Sequence, residues 1–302
     1  MAVAFESQTP GWRAQLKLVC EGAEGARAGE SVIRQRCRSG PLALQRVLYP
    51  EGPSPCHAIV LHPPGGVAGG DVLAVDVSVT TAGSLFGTTP ASTKFYKSAG
   101  RLARSEQRLR VAAGSCLEWF PQETLVFNDA ELELSTDVEL EPGAAFAAWE
   151  IVCLGRHHMG ERFERGSLLQ RWTIWLRDAD ERVERSQQGR RVFHERFALA
   201  AQDPLRTAAW GLGGHRVFGS LLLTCGEPGT ERALRDLLDA DQLGATNHGT
   251  LVVGLTRLEG LVVVRALADA PGPVREAFEA LWGRWREIER GLEPHRPRIW
   301  DT

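Results

Sequence analysis

Two glutamates stand inside apolar stretches that read as strands: Glu118 in Cys116-Leu117-Glu118-Trp119-Phe120 and Glu150 in Trp149-Glu150-Ile151. A carboxylate so placed must be paired, hydrated or protonated, because desolvation raises its pKa. It could serve as an acid, a base or a cation ligand; the competing reading is a structural hydrogen bond. The imidazoles are scattered. His57 and His62 lie five apart in an extended stretch, whose two-residue period sends them to opposite faces, so they cannot share a metal by themselves. His157 and His158 meet the same difficulty if extended, although imidazole suits nickel, copper or zinc. A lone histidine reads first as a surface or hydrogen-bonded residue.

Nucleophilic chemistry has less support. There is no GxSxG elbow, and no cysteine has neighbours that would obviously depress its pKa. The six cysteines, at 20, 37, 56, 116, 153 and 225, include no CxxC pair, which argues against a closed zinc site. Disulfides are not expected in a reducing compartment, so most read as buried thiols acting as small hydrophobes.

The most distinctive stretch is His62-Pro63-Pro64-Gly65-Gly66-Val67-Ala68-Gly69-Gly70-Asp71, followed by Thr88-Thr89-Pro90-Ala91-Ser92-Thr93-Lys94-Phe95-Tyr96. Prolines remove amide donors and glycines permit positive φ, so this is an irregular loop that something approaches closely. A phosphate cradle fits poorly. The loop ends in Asp71 and opens a strand, where a P-loop ends in Gly-Lys-Ser/Thr and opens a helix. A metal- or nucleotide-dependent enzyme built on residues 63–71 remains the alternative reading.

The elements that must hold these residues are mostly strands. Leu73, Val75, Val77 and Val79 alternate with Ala74, Asp76, Ser78 and Thr80. Over Ala130 to Leu140, Leu132, Leu134, Val138 and Leu140 share one face and Glu131, Glu133, Asp137 and Glu139 the other, which predicts a strand with its acid face in water. Ala145 to Leu154 is almost continuously apolar, so it is expected to be buried on both faces, with Glu150 inside or lining an internal space. Further strands are expected at 15–20, 31–38, 42–48, 58–61, 108–112, 116–120, 124–128, 168–177 and 217–225. Residues 178–191 read as a charged, solvated excursion.

The last third differs. Thr230 can cap a helix running to Leu243, with Gly244 as stop. Residues 250–258 and 261–267 form a hairpin about Glu259-Gly260, and Pro271-Gly272-Pro273 launches a helix to about Arg290. Its apolar stripe is Val274, Ala277, Phe278, Leu281, Trp285 and Ile288. The fold class is therefore mainly β, with two α-helices in an α/β C-terminal portion: a strand-rich body over 11–210 and a packed portion over 211–302.

A chain with 43% hydrophobic and 24% charged residues is an ordinary globular composition, and its length allows a large core. A net charge of −3 gives no field for nucleic acid or anionic lipid. No run of eighteen apolar residues exists to span a membrane, and residues 1–10 lack the pattern of a secretory signal. The expected location is cytoplasmic.

On particular motifs the sequence resembles the UreD (UreH) family of urease accessory proteins. They are Gly40-Pro41-Leu42, Gln45-Arg46, Leu48-Tyr49-Pro50-Glu51-Gly52, the loop 62–71, residues 88–96 and Leu117-Glu118-Trp119-Phe120-Pro121-Gln122-Glu123. Trp149-Glu150-Ile151-Val152-Cys153-Leu154-Gly155-Arg156, Gly160-Glu161-Arg162-Phe163 and Pro297-Arg298-Ile299-Trp300 complete them, in order over almost the whole chain. Asp301 and the pair His157-His158 are less typical of the pattern.

The resemblance implies an elongated, β-helix-like stack of strands with two helices, and a non-enzymatic role in urease maturation. Family members bind UreF, which engages the GTPase UreG, and dock on apo-urease; a water-filled passage is proposed to convey nickel in transit, with no cofactor held stably. Transit needs weak oxygen, imidazole or thiolate ligands, since tight ligation would trap the ion. By motif position the resemblance points to Asp71, Glu150, Cys153 and Glu161 as contacts along the path. It adds Ser92 and Lys94 beside the passage, and Trp300 in a tail suited to docking a partner. A pure interaction scaffold without a metal path is the third reading.

Overall fold

The structure is a computed structural model of the 302-residue chain and describes residues 11–25, 28–177, 189–239 and 251–301. The first strands are β1 (Arg13–Gly22), β2 (Ser31–Ser39), β3 (Ala43–Leu44), β4 (Cys56–Leu61), β5 (Gly66–Val67) and β6 (Val72–Thr80). Next come β7 (Ser84–Thr88), β8 (Thr93–Phe95), β9 (Ala103–Val111), β10 (Cys116–Phe120), β11 (Thr124–Val126) and β12 (Ala130–Leu140). The chain continues through β13 (Ala145–Leu154), β14 (Gly166–Leu176), β15 (Arg190–Ala200), β16 (Val217–Thr224) and α1 (Thr230–Asp239). It closes with the hairpin β17 (Leu251–Leu258) and β18 (Leu261–Ala268), then α2 (Pro271–Arg290).

These strands wind into a β-solenoid of about four turns. The chain alternates between two sheets, ordered β15-β14-β12-β9-β6-β1-β2 and β17-β18-β16-β13-β10-β7-β4-β3. Along the coils the pairing is parallel, as in β6 with β9, β9 with β12 and β12 with β14. A third, narrow side is made by β5, β8 and β11, which pair with one another in parallel and reach β13. Three corners share one chemistry, at Thr81-Ala82-Gly83, Ala112-Ala113-Gly114-Ser115 and Glu141-Pro142-Gly143-Ala144. Each is closed by an amide returning three residues back: Gly83 to Thr80, Ser115 to Ala112 and Ala144 to Glu141, at 2.9, 3.0 and 3.0 Å. The corners also stack, since Cys116 N–H donates to Gly83 O and Ala145 N–H to Ser115 O, both at 2.9 Å.

Two apolar clusters hold the solenoid. One fills the space between the sheets and takes Leu117 and Trp119 of β10 and Phe146, Ala148, Val152 and Leu154 of β13. The other lies between the larger sheet and α2, taking Cys116 and Phe120, and Ala147, Trp149, Ile151 and Cys153. β13 is therefore buried on both faces, as its apolar run predicts. On β12 the leucines and Val138 are buried and the acids half-buried. Those acids pair with arginines of neighbouring coils, Glu133 with Arg104 and Glu139 with Arg110 and Arg177. That charged face is why a largely parallel sheet tolerates water on one side.

The portion after residue 211 shares a sheet with the body, because β16 pairs antiparallel with β13. α2 buries Val274, Ala277, Phe278, Leu281, Trp282 and Trp285, while Ile288 is only partly buried. α1 begins at Thr230, whose hydroxyl donates to Glu289 Oε1 (2.5 Å) of α2. The same carboxylate accepts the Gly226 and Glu227 amides, so Glu289 of α2 pins the turn that leads into α1, and Thr230 is the helix's first residue rather than its cap. The expected end at Leu243 and Gly244, and residues 178–188 of the charged excursion, lie outside the described residues. β5, β8 and β15 are strands that the sequence pattern does not mark, and the expected strand over 42–48 shortens to Ala43–Leu44.

Candidate functional site

The glycine loop packs against its own chain. A Cβ on Gly66 would sit 2.2 Å from the Tyr96 ring, and one on Gly69 2.2 Å from Ser98 O. Gly65 and Gly70 take positive φ, 77° and 93°. The loop amides are spent internally: Gly65 N–H donates to His62 O (3.0 Å) and Gly70 N–H to Leu102 O (3.2 Å). Asp71, which is buried, closes the loop by accepting the Ala68 amide on Oδ2 (3.0 Å) and the Trp12 amide on Oδ1 (3.2 Å). The close approach inferred from the four glycines is thus the approach of β8 and its flanks, and no row of amides is left to cradle a phosphate.

Between the three sides of the solenoid lies a cavity of about 160 Å³. Its walls come from β4 and β10 (Val60, Trp119), β6, β9 and β12 (Leu73, Val75, Ser105, Gln107, Leu134), and the 89–95 segment. Gly65 and Ala91, both exposed, lie on its rim, with Ser92 and Lys94 beside them and Glu150 within. Glu150 is 4% exposed, and both of its donors converge on Oε2: the Gln170 amide and Trp172 Nε1–H (3.2 Å). Neither reaches Oε1. Desolvation outweighs those two bonds and pushes the Glu150 carboxyl up to about 7.

His62, which the two-residue period separates from His57, lines the same cavity. Its ring packs against Trp12 (centroids 5.3 Å apart), and its Nε2 is buried without a hydrogen-bond partner. Burial holds the imidazole below its ordinary pKa, against the pull of Asp71.

The expected site residues divide. Ser92, Lys94 and Glu150 meet at the cavity; Asp71, Cys153 and Glu161 lie outside its lining. Cys153 points to the opposite face of β13, into the α2 cluster, where desolvation pushes its thiol up to about 12. Three residues along a strand is an odd step, which puts Cys153 on the face opposite Glu150. Glu161 accepts the Asn128 amide on Oε1 (2.7 Å) and Arg156 Nε on Oε2 (2.8 Å). Desolvation works against it, but the Asn128 amide and Arg156 hold its carboxyl below the usual range. Ser92 donates to Glu123 Oε2 (2.9 Å), and Arg275 of α2 pairs with Oε1 of the same carboxylate. Trp300 is 6% exposed, packed among Phe86, Phe120, Trp149 and Trp282, and its Nε1–H donates to Thr88 Oγ1 (2.8 Å). Among the described residues no group of three or more His, Cys, Asp or Glu is placed to hold a metal ion together.

Glu118 lies on the α2 side, in a buried ion network. Arg286 Nε is 3.0 Å from Glu118 Oε1 and its Nη1 2.7 Å from Glu51 Oε2; His57 Nε2 is 2.7 Å from Glu51 Oε1. Trp282 Nε1–H also donates to Glu118 (2.7 Å). Burial lowers the Arg286 pKa, but Glu118 and Glu51 together hold it above its ordinary value. This network binds α2 to the sheet and stands apart from the cavity.

Loops 155–166 and 201–216 adjoin, since Gln202 Nε2–H donates to Glu164 O (2.7 Å). They expose Met159 (73%) and Trp210 (79%). Among the described residues no helix is long and apolar enough to cross a membrane.

Comparison with known proteins places matches over nearly the full length. Residues 13–301 match the family model described as UreD urease accessory protein. The chain is 40% identical to the urease accessory protein UreD of Alkalilimnicola ehrlichii, covering 97% of this chain and 93% of that one. It is 39% identical to the protein of the same name from Pseudomonas fluorescens and 36% to that of Dechloromonas aromatica, each over 100% of this chain and 99% of the relative.

Proposed function

The chain belongs to the UreD family of urease accessory proteins, with a role in urease maturation, and we propose that in this role it is a scaffold and nickel conduit. In this reading it docks on apo-urease, binds UreF and through UreF the GTPase UreG, and carries out no chemistry of its own. Nickel is cargo that crosses the solenoid through the cavity lined by Glu150. The observation that carries the reading is a buried carboxyl, pushed up to about 7, with one oxygen unclaimed by its donors and an exposed rim nearby.

That carboxyl suits transit. An arriving dication competes with a proton for the same group, so it is held while the carboxyl is ionised and released when a proton returns. His62 offers a neutral imidazole with a free nitrogen, a ligand nickel accepts. We assign Ser92 and Lys94 to the mouth and Asp71 and Glu161 to holding the loops that frame it. Cys153, behind β13, is assigned to packing. The Met159 and Trp210 loops supply apolar anchors for a partner. The enzyme reading loses its support, because the glycines serve packing within the chain.

Co-expression of the chain with UreF, UreG and apo-urease tests this. Glu150→Ala and His62→Ala should each lower the nickel content of purified urease severalfold while UreF and urease still co-purify with the variant. Unchanged nickel loading in both would refute the conduit and leave the scaffold.

A further inference from the structure

The sequence spacing of the cysteines hides a pair. Cys20, late in β1, and Cys56, at the start of β4, belong to different sheets, yet both turn into the core between them. Their sulfurs are 3.4 Å apart, and both residues are fully buried. Closing that gap to a bonded distance of about 2.05 Å needs a movement of about 1.4 Å, within the reach of side-chain torsions. The other four cysteines are placed differently: Cys37 is exposed on β2, and Cys116, Cys153 and Cys225 lie in the α2 cluster.

We propose that Cys20 and Cys56 form a dithiol–disulfide pair that cross-links the two sheets when the protein meets a two-electron oxidant of the peroxide class. Both S–H bonds break and one S–S bond forms. The two electrons cleave the O–O bond of hydrogen peroxide, and the two thiol protons leave in two molecules of water. The fold holds the sulfurs together before reaction, so the effective concentration is high and the disulfide is favoured once an oxidant is present. Its rate is a separate matter. Neighbouring Cys56 and burial hold the Cys20 thiol far above its ordinary pKa, which suppresses the reactive thiolate and makes the folded pair slow to oxidise. In a reducing compartment the pair stays a dithiol; oxidative exposure converts it to a lasting clamp. The bond would enclose β2, β3 and the segment bearing Glu51, tying β1 to the strand that leads into the glycine loop.

The test uses the purified full chain, reduced, desalted and exposed to hydrogen peroxide under native conditions, then alkylated in denaturant and mapped by mass spectrometry. We expect a Cys20–Cys56 linked peptide, two fewer alkylated cysteines than the six of the reduced chain, and a thermal midpoint raised by about 5 °C. Dithiothreitol should reverse all three. Cys37→Ser should retain the linked peptide, and Cys56→Ser should abolish it. Six alkylatable cysteines after oxidation, or cross-linking through Cys37 alone, would overturn the proposal; the map of the unsubstituted chain decides this even if Cys56→Ser fails to fold.

Discussion

Trp172 Nε1–H points at Glu150 Oε2 across 3.2 Å, from the smaller sheet to the larger. The contact joins the two walls of the solenoid at the one carboxylate that lines its cavity. It does not neutralise the cost of burial, since the carboxyl still rises to about 7.

The first prediction concerns pH. A Glu whose pKa is about 7 folded and 4.5 unfolded binds its proton more tightly in the fold. Its stabilising contribution is complete below about pH 4.5 and is lost as pH rises to about 7, by about 3 kcal/mol. Glu150→Gln removes that term. Urea titrations from pH 5 to pH 8 should find the variant gaining on the wild type as pH rises; parallel curves would contradict the burial argument.

The buried ion network gives the second. Arg286→Ala leaves Glu118 without its cation and Glu51 with His57 alone, and should cost about 3–5 kcal/mol, read from the urea midpoint. Arg286→Met combined with Glu118→Gln should recover part of that loss, because two desolvated charges leave together.

The third separates two glycines. The obstacle to a methyl on Gly66 is the end of the half-exposed Tyr96 side chain, which can swing away, so Gly66→Ala should cost about 1 kcal/mol. At Gly69 the obstacle is the Ser98 carbonyl, and Gly69→Ala should cost about 3 kcal/mol. Equal thermal shifts would mean that the loop packs differently.

Much of this could be read along the chain. The alternation of β12 and the nearly continuous apolar run of β13 are plain, and the charge that interrupts that run marks Glu150 as unusual. Parallel coiling was not readable from residue pattern, because it depends on pairing between strands some thirty residues apart; there the family resemblance supplied the β-helix. β7, whose Ser84-Leu85-Phe86-Gly87-Thr88 lacks alternation because both faces are covered, left no periodic signal. Asp71 and Glu161 were legible as loop acids, but their backbone amide partners were not.

A fourth prediction follows from the tail. Trp300 fills a pocket of its own chain, so Trp300→Ala should lower the stability of the isolated protein by about 3 kcal/mol. A variant that kept full stability and lost only partner binding would put the indole at an interface.

The conduit is tested most directly by filling it. Ser105 lines the cavity from β9, and Ser105→Phe adds a ring to a space of about 160 Å³. With UreF, UreG and apo-urease present, the account predicts that this variant assembles the same complex but leaves urease with severalfold less nickel. Full nickel loading through an occluded cavity would contradict it.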